Sequence, residues 1–183
     1  MKKLVIAEKP SVGREIAKNL GCFDRSQGYI EGNDWVVTWA LGHLVELAPP
    51  QHYNEGWKRW TLKDLPMLPS ELDETVIEES KDQFDVIKNL LSRSDISSVV
   101  IATDAGREGE LVARWILKLS DYQGKMERLW ISSQTEKAIK EGFMSLKPSS
   151  EYDNLYAAAS CRAAADWYVG MNVTRALTCT HDA

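Results

Sequence analysis

The chain is poor in cysteine, has no long apolar run and carries no excess of positive charge. Cys22, Cys161 and Cys179 are the only three cysteines in 183 residues, with no CxxC pair and no cysteine–histidine cluster. A disulfide framework and a structural zinc site are therefore not supported, and a reducing, cytoplasmic setting is expected. No stretch approaches the roughly 18–20 uninterrupted apolar residues of a membrane span. Glu8 arrives before a secretory hydrophobic segment could be completed, so secretion is not expected. The formal net charge of −5 does not announce a nucleic-acid binder, so any such role has to come from a local site. There are no internal repeats and no low-complexity linker. What is present, 44% hydrophobic and 27% charged residues, is the balance of a soluble domain with a real core, not of a disordered tail.

Hydrophobic patterning predicts strands alternating with helices. Residues 4–7 are a short continuous apolar run, as in a strand buried on both faces. Val12, Ile16, Ala17 and Leu20 then recur at helical spacing, with Pro10 in the first turn and Gly21 at the close. Residues 28–31 and 35–40 read as a hairpin turning at 32–34. Residues 49–69 hold four prolines with Trp57 and Trp60, which predicts an ordered surface loop tied down by buried tryptophans. Most of the seven tryptophans are expected in the core. A helix is predicted over 80–91, a buried strand over 99–102, a helix over 111–119, a short strand over 129–131 and an amphipathic helix over 135–146. Such alternation implies an α/β fold with a mainly parallel sheet. Pro148-Ser149-Ser150 marks a boundary, beyond which 152–177 is one alanine-rich helical stretch. The expected organisation is one domain over 1–148 and the truncated helical start of a second over 149–183, the chain being a fragment.

Two of these strands end in a carboxylate, Glu8 and Asp104. In open α/β sheets ligands bind beyond the carboxyl ends of the parallel strands, so neighbouring strands would bring both acids to one crevice. Bare carboxylates ~4 Å apart repel by about 4 kcal/mol at an effective dielectric near 20. A hard divalent cation removes that cost, and Mg²⁺ accepts such a pair while keeping waters. Alternatively one carboxyl stays protonated as a general acid. The plainer readings are that Asp104 caps the following helix, with Glu108 and Glu110 favoured in its first turn, and that Glu8 pairs with Lys9 or Arg107. Gly106 and Gly109 would allow close backbone approach to a ligand. Lys9 and Arg107 could hold a phosphate or stabilise a leaving oxygen. His43 could donate to a phosphate or be structural, and Trp57 and Trp60 could stack on bases. No tyrosine has an activating base nearby in sequence.

The segments Ala7-Glu8-Lys9-Pro10-Ser11 and Ala102-Thr103-Asp104-Ala105-Gly106-Arg107-Glu108-Gly109-Glu110 resemble the Toprim module of type IA topoisomerases, primases and some nucleases. Thr38-Trp39-Ala40-Leu41-Gly42-His43-Leu44, residues 129–133 and residues 165–176 narrow the resemblance to the N-terminal part of a bacterial type IA DNA topoisomerase of the topoisomerase III group. This resemblance implies a Toprim, Rossmann-like sheet and an enzyme that cleaves, passes and religates single-stranded DNA. It implies Glu8 as catalytic glutamate and Mg²⁺ ligand, Asp104 as the other principal ligand, and Lys9 and Arg107 near the scissile phosphate. Glu108 is the candidate third metal ligand, because Gly106 stands where many members carry a second aspartate. His43, Trp60, Trp167 and Arg175 become candidate DNA contacts. The family's nucleophilic tyrosine lies in a later domain, so this chain alone is expected to be inactive, with single-stranded DNA and the remaining domains as its partners. The alternatives are a Toprim primase or nuclease, which should lack the blocks at 38–44 and 165–176, and a non-catalytic nucleic-acid-binding adaptor.

Overall fold

The structure, a computed structural model, describes residues 1–181. Its elements are, in order, β1 (Lys2–Ala7), α1 (Pro10–Asn19), β2 (Asp24–Ser26), β3 (Tyr29–Glu31), β4 (Trp35–Trp39), β5 (Val45–Leu47), α2 (Pro50–Tyr53), β6 (Glu74–Val76), α3 (Lys81–Leu91), β7 (Ile96–Ala102), α4 (Arg107–Leu119), β8 (Lys125–Arg128), α5 (Glu136–Met144), β9 (Lys147–Pro148) and α6 (Asp153–His181). Seven strands form one sheet in the order β2-β3-β4-β1-β7-β8-β9, and β5 and β6 form a separate antiparallel pair. The four central strands, β4, β1, β7 and β8, are parallel; β2, β3 and β9 run antiparallel at the edges.

The central strands alternate their side chains between two layers, as a period of two requires. Leu4, Ile6, Val36, Val99 and Ile101 face a core completed by Phe84 and Ile87 of α3 and by Leu111, Trp115 and Ile116 of α4. Val5, Ala7, Val37, Val100 and Ala102 face the opposite core, with Val12, Ile16 and Ala17 of α1 and Ile139 of α5. Each fully buried Leu, Ile or Val contributes about 1.5–3 kcal/mol relative to exposure. Residues on both faces are apolar, which is why β1 and β7 read as unbroken hydrophobic runs in the sequence.

At the amino end of the central strands, Glu31 sits between two cations: it accepts from Lys2 Nζ at 2.5 Å and from Arg93 Nη2 at 2.7 Å. Arg93 also pairs with Asp95 at 2.7 Å. The hydrogen bonds from Arg93 hold the Glu31 carboxyl at a pKa of about 2, well below its ordinary value.

Helix α6 runs for 29 residues, about 43 Å at 1.5 Å per residue, and buries only a narrow stripe, Ala159, Trp167 and Arg175. From it, Trp167 Nε1 donates to the Ala48 carbonyl at 2.9 Å and Tyr168 Oη to the Pro69 carbonyl at 2.8 Å. Asn172 accepts from the Met67 N–H at 2.6 Å and donates to the Met67 carbonyl at 3.1 Å. Arg175 donates to the carbonyl of Trp57. The 49–69 segment is thus ordered, but not by buried tryptophans. Trp57 is half-buried and Trp60 is 50% exposed, whereas Met67 is fully buried and α6 grips the backbone. Of the seven tryptophans only Trp115 and Trp167 are buried, a correction to the expectation that most lie in the core. The strand expected over 129–131 is also displaced, pairing instead over Lys125–Arg128. Its polar sequence conceals it. Among the described residues, no helix is long and apolar enough to cross a membrane.

Candidate functional site at the acidic strand ends

Because β4, β1 and β7 are adjacent and parallel, their carboxyl ends open on the same edge of the sheet, with Ala7 opposite both Trp39 and Ala102. Beyond them the chain turns into Leu41-Gly42-His43, Glu8-Lys9 and Thr103-Asp104-Ala105-Gly106. Glu8 is half-buried, and its Oε2 accepts from the Asp104 backbone N–H at 3.1 Å. The two acids are therefore neighbours in space although 96 residues apart in sequence. Of the plainer sequence readings, Glu108 and Glu110 do lie in the first turn of α4, but the cap and the surface pairing are not realised. The N-cap of α4 is Gly106, with no side-chain cap, and Glu8 makes no ion pair with Lys9 or Arg107 among the described residues. The Asp104 carboxylate accepts no hydrogen bond from a described residue.

The platform under these acids is a fully buried ion pair. Arg128 Nε donates to Glu110 Oε2 at 2.9 Å, and both side chains have no solvent exposure. The other guanidinium nitrogens donate to the carbonyls of Thr103 and Leu129 at 2.8 Å, Asp104 at 2.7 Å and Ile101 at 3.1 Å. Burial lowers the Arg128 pKa from its usual range, and the Glu110 carboxylate opposes that shift. Arg114 Nε donates to the remaining Glu110 oxygen at 2.9 Å and reaches, through Nη2, the Ser149 carbonyl and Asp153 at the head of α6. Thr103 Oγ1 donates to the Gly109 carbonyl at 2.7 Å. At Gly109 any Cβ would lie 2.1 Å from the Asp104 carbonyl oxygen, so this glycine lets the strand-end loop lie on the first turn of α4. Gly109 thus serves contact within the chain, whereas Gly106 faces open space.

The other sequence candidates divide around this centre. Lys9, Arg107 and Glu108 are exposed, without ion-pair partners among the described residues. Asp104 and Ala105 border a pocket of about 300 Å³ against α1, with Ser132, Ser133 and Gln134 across it. Glu108 faces a larger cleft of about 560 Å³ on the α6 side, shared with His43, Arg162, Asp166 and Trp167. Trp60 presents half its surface to solvent, with the Arg175 guanidinium 5.3 Å from its ring centroid. Trp167 and Arg175 are only 5% and 4% exposed and are committed to holding the 49–69 segment. Among the described residues no three His, Cys, Asp or Glu side chains gather into a ready-made metal cage. Two hard oxygen donors on adjacent strand ends nonetheless fit an ion such as Mg²⁺, which takes one or two carboxylates and retains waters. Sequence reading missed Arg128 and the role of Glu110. Glu110 had a local signal in Arg114, four residues on, but nothing around Arg128 marks it as buried.

The Toprim domain family matches residues 3–134, a span that includes both acidic strand ends, and the chain belongs to that family. Its sequence is 58% identical over 182 residues to DNA topoisomerase 3 of Shouchella clausii, covering 100% of this chain and 25% of that protein. It is 54% identical over 177 residues to DNA topoisomerase 3 of Bacillus subtilis, covering 97% of this chain and 24% of the relative. The chain therefore spans about a quarter of the length of these relatives. Its fold is similar to that of full-length topoisomerase I from Thermotoga maritima, with a TM-score of 0.52 and 19% identity over 79% of this chain and 21% of that one.

Proposed function

We propose that this chain is the Mg²⁺-binding part of a type IA DNA topoisomerase that cleaves, passes and religates single-stranded DNA. The observation that carries the proposal is the Glu8–Asp104 contact: two acids on adjacent parallel strand ends, neither of them in an ion pair among the described residues. The relatives' name, DNA topoisomerase 3, supplies the reaction class. Glu8 and Asp104 are the principal metal-holding residues, and Glu108, which faces the α6-side cleft in this structure, would have to turn towards them to serve as the third acid. Bound there, Mg²⁺ would neutralise the two carboxylates and position a phosphate oxygen. Lys9 and Arg107 flank the acids, in no ion pair among the described residues, and bind the scissile phosphate by charge-assisted hydrogen bonds. Arg107 is the first residue of α4, where the helix N-terminus adds favourable potential for an anion. His43 and Trp60 contact the strand along the α6 side, with Trp167 and Arg175 setting the course of the segment that carries Trp60. Residues 149–183 begin the next DNA-binding domain; Asp182 and Ala183 lie outside the described residues.

The test is a Mg²⁺ titration followed by amide NMR, on the parent chain and on Glu8→Gln and Asp104→Asn. Saturable shifts centred on Glu8, Asp104 and Glu108, abolished in both variants, are expected. Saturable binding that survives both substitutions would refute the metal assignment. The nucleophilic tyrosine belongs to a part of the enzyme outside this chain, so the purified chain is expected not to relax supercoiled plasmid.

A further inference from the structure

The chain carries a second concentration of unpaired charge, of opposite sign, on the sheet face away from α6. Helix α1 begins immediately after Glu8 and Lys9, and its outer side presents Ser11, Arg14, Glu15 and Lys18. Opposite them Arg25 projects from the edge strand β2, and together they wall a concavity of about 450 Å³ floored by Cys22 and Ile30. Arg14, Lys18 and Arg25 are exposed, and none has an ion-pair partner among the described residues. This is unlike Lys2 and Lys3 of β1 and Arg93 in the turn before β7, each held by a carboxylate. Glu15, the acid on the wall, is held by the Asn19 side-chain amide at 3.2 Å and not by the cations. Glu136 on α5, near Lys18, is engaged by Lys140. The Cys22 thiol is pushed up to about 11 by burial, so it adds no negative charge to the floor at neutral pH. On the rim Phe23 stands 74% exposed, a large aromatic surface without a packing role.

Three cations converging on one concavity focus a positive field that a solvated surface charge does not, and they do so in a chain of net charge −5. The near lip, Ser11, lies within one turn of Lys9, and Lys18 is about 10 Å further along the helix axis. A polyanion leaving the acidic strand ends along α1 would meet Arg14, then Lys18 and Arg25, with Phe23 available to an unpaired base. We propose that this concavity is a second DNA-contact site, in which Arg14, Lys18 and Arg25 hold backbone phosphates of a single strand and Phe23 stacks on one of its bases. The site rests on the reading of single-stranded DNA as substrate, and it lies outside the acidic centre and outside the α6 cleft.

Fluorescence anisotropy of a labelled oligothymidylate, titrated with the chain in EDTA between roughly 50 and 200 mM salt, tests it without any metal. The triple variant Arg14→Gln, Lys18→Gln, Arg25→Gln should bind about tenfold or more weakly, and its log K against log salt should be shallower by about 2, near 0.7 per lost phosphate contact. Phe23→Ala should weaken binding by about fivefold or more with the slope unchanged, because base stacking is not a counter-ion effect. An abasic oligomer of equal length should bind parent chain and Phe23→Ala alike. If the triple variant does not fold, Arg25→Gln alone, on an exposed edge strand, should still flatten the slope by about 0.7. Unchanged affinity and slope in the triple variant would overturn the site, as would a duplex of the same length binding equally well. The Mg²⁺ titration reads the acidic centre with no DNA present, so failure of one reading is distinguishable from failure of the other.

Discussion

The two ends of the same parallel strands treat their acids in opposite ways. At the amino end, Glu31 is clamped by Lys2 and Arg93. At the carboxyl end, Glu8 and Asp104 touch only through a backbone N–H, and Lys9 and Arg107 stay uncommitted. Between the strand-end acids and the core lies a third arrangement, the wholly buried Glu110–Arg128 pair that pins the carbonyls beneath Asp104. The difference separates acids that serve the fold from acids held available. Charge is neutralised where it holds strands together and, among the described residues, left without an ion-pair partner at the carboxyl strand ends.

The sharpest way to break that contrast is to remove the buried support. Arg128→Met leaves Glu110 with Arg114 as its one remaining guanidinium partner, strips the buried carbonyls of Ile101, Thr103, Asp104 and Leu129 of their donor, and should cost about 3–5 kcal/mol, read by urea unfolding. Pairing it with Glu110→Leu should restore much of the loss; a double variant as unstable as the sum of the singles would show that no such coupling exists. Next in size is Gly109→Ala, whose Cβ would meet the Asp104 carbonyl oxygen at 2.1 Å. Overpacking of this kind costs about 1–3 kcal/mol, and it should also weaken Mg²⁺ binding by displacing Asp104.

At the other end of the strands the handle is pH. The Glu31 pKa is lower folded than unfolded, so its stabilisation is fully present above its ordinary value of 4.5 and is lost as pH falls towards about 2. Glu31→Gln should flatten the fall in Tm across that window while leaving Mg²⁺ binding alone. An identical acid limb in the variant would remove Glu31 from the account. The smallest effect belongs to the acids themselves. Glu8→Gln should change stability by no more than about 0.5 kcal/mol while abolishing the metal-dependent shifts, because the Gln amide oxygen can still accept from the Asp104 N–H and no ion pair among the described residues depends on Glu8.

Much of this was readable from residue order. Unbroken apolar runs at 4–7 and 99–102 placed β1 and β7 in the sheet interior, and that placement alone predicted that Glu8 and Asp104 would sit at strand ends. What was not readable is instructive. Lys125-Met126-Glu127-Arg128 has the composition of a loop, and it becomes a strand because Lys3 and Lys125 satisfy Glu127 while Glu110 satisfies Arg128. Lys3 and Glu110 are distant in sequence from the residues they satisfy, so no local pattern could announce them. The tryptophans misled for a related reason. Bulk and apolarity suggest burial, yet Trp130 lies stacked on Tyr152 at 4.8 Å, near Arg128, and remains 41% exposed. Burial depends on what faces a side chain as much as on the side chain itself.

The grip of α6 on the 49–69 segment has a consequence for how sequence change is tolerated there. Ala48, Trp57, Met67 and Pro69 are all held through main-chain atoms, by side chains contributed from the helix. The information that shapes the loop is thus written in a different element. Exposed loop positions such as Leu62 and Leu68 are free to vary so long as the backbone keeps its path, while Trp167, Tyr168 and Asn172 are not. One helix acts as a template, and the loop is its impression.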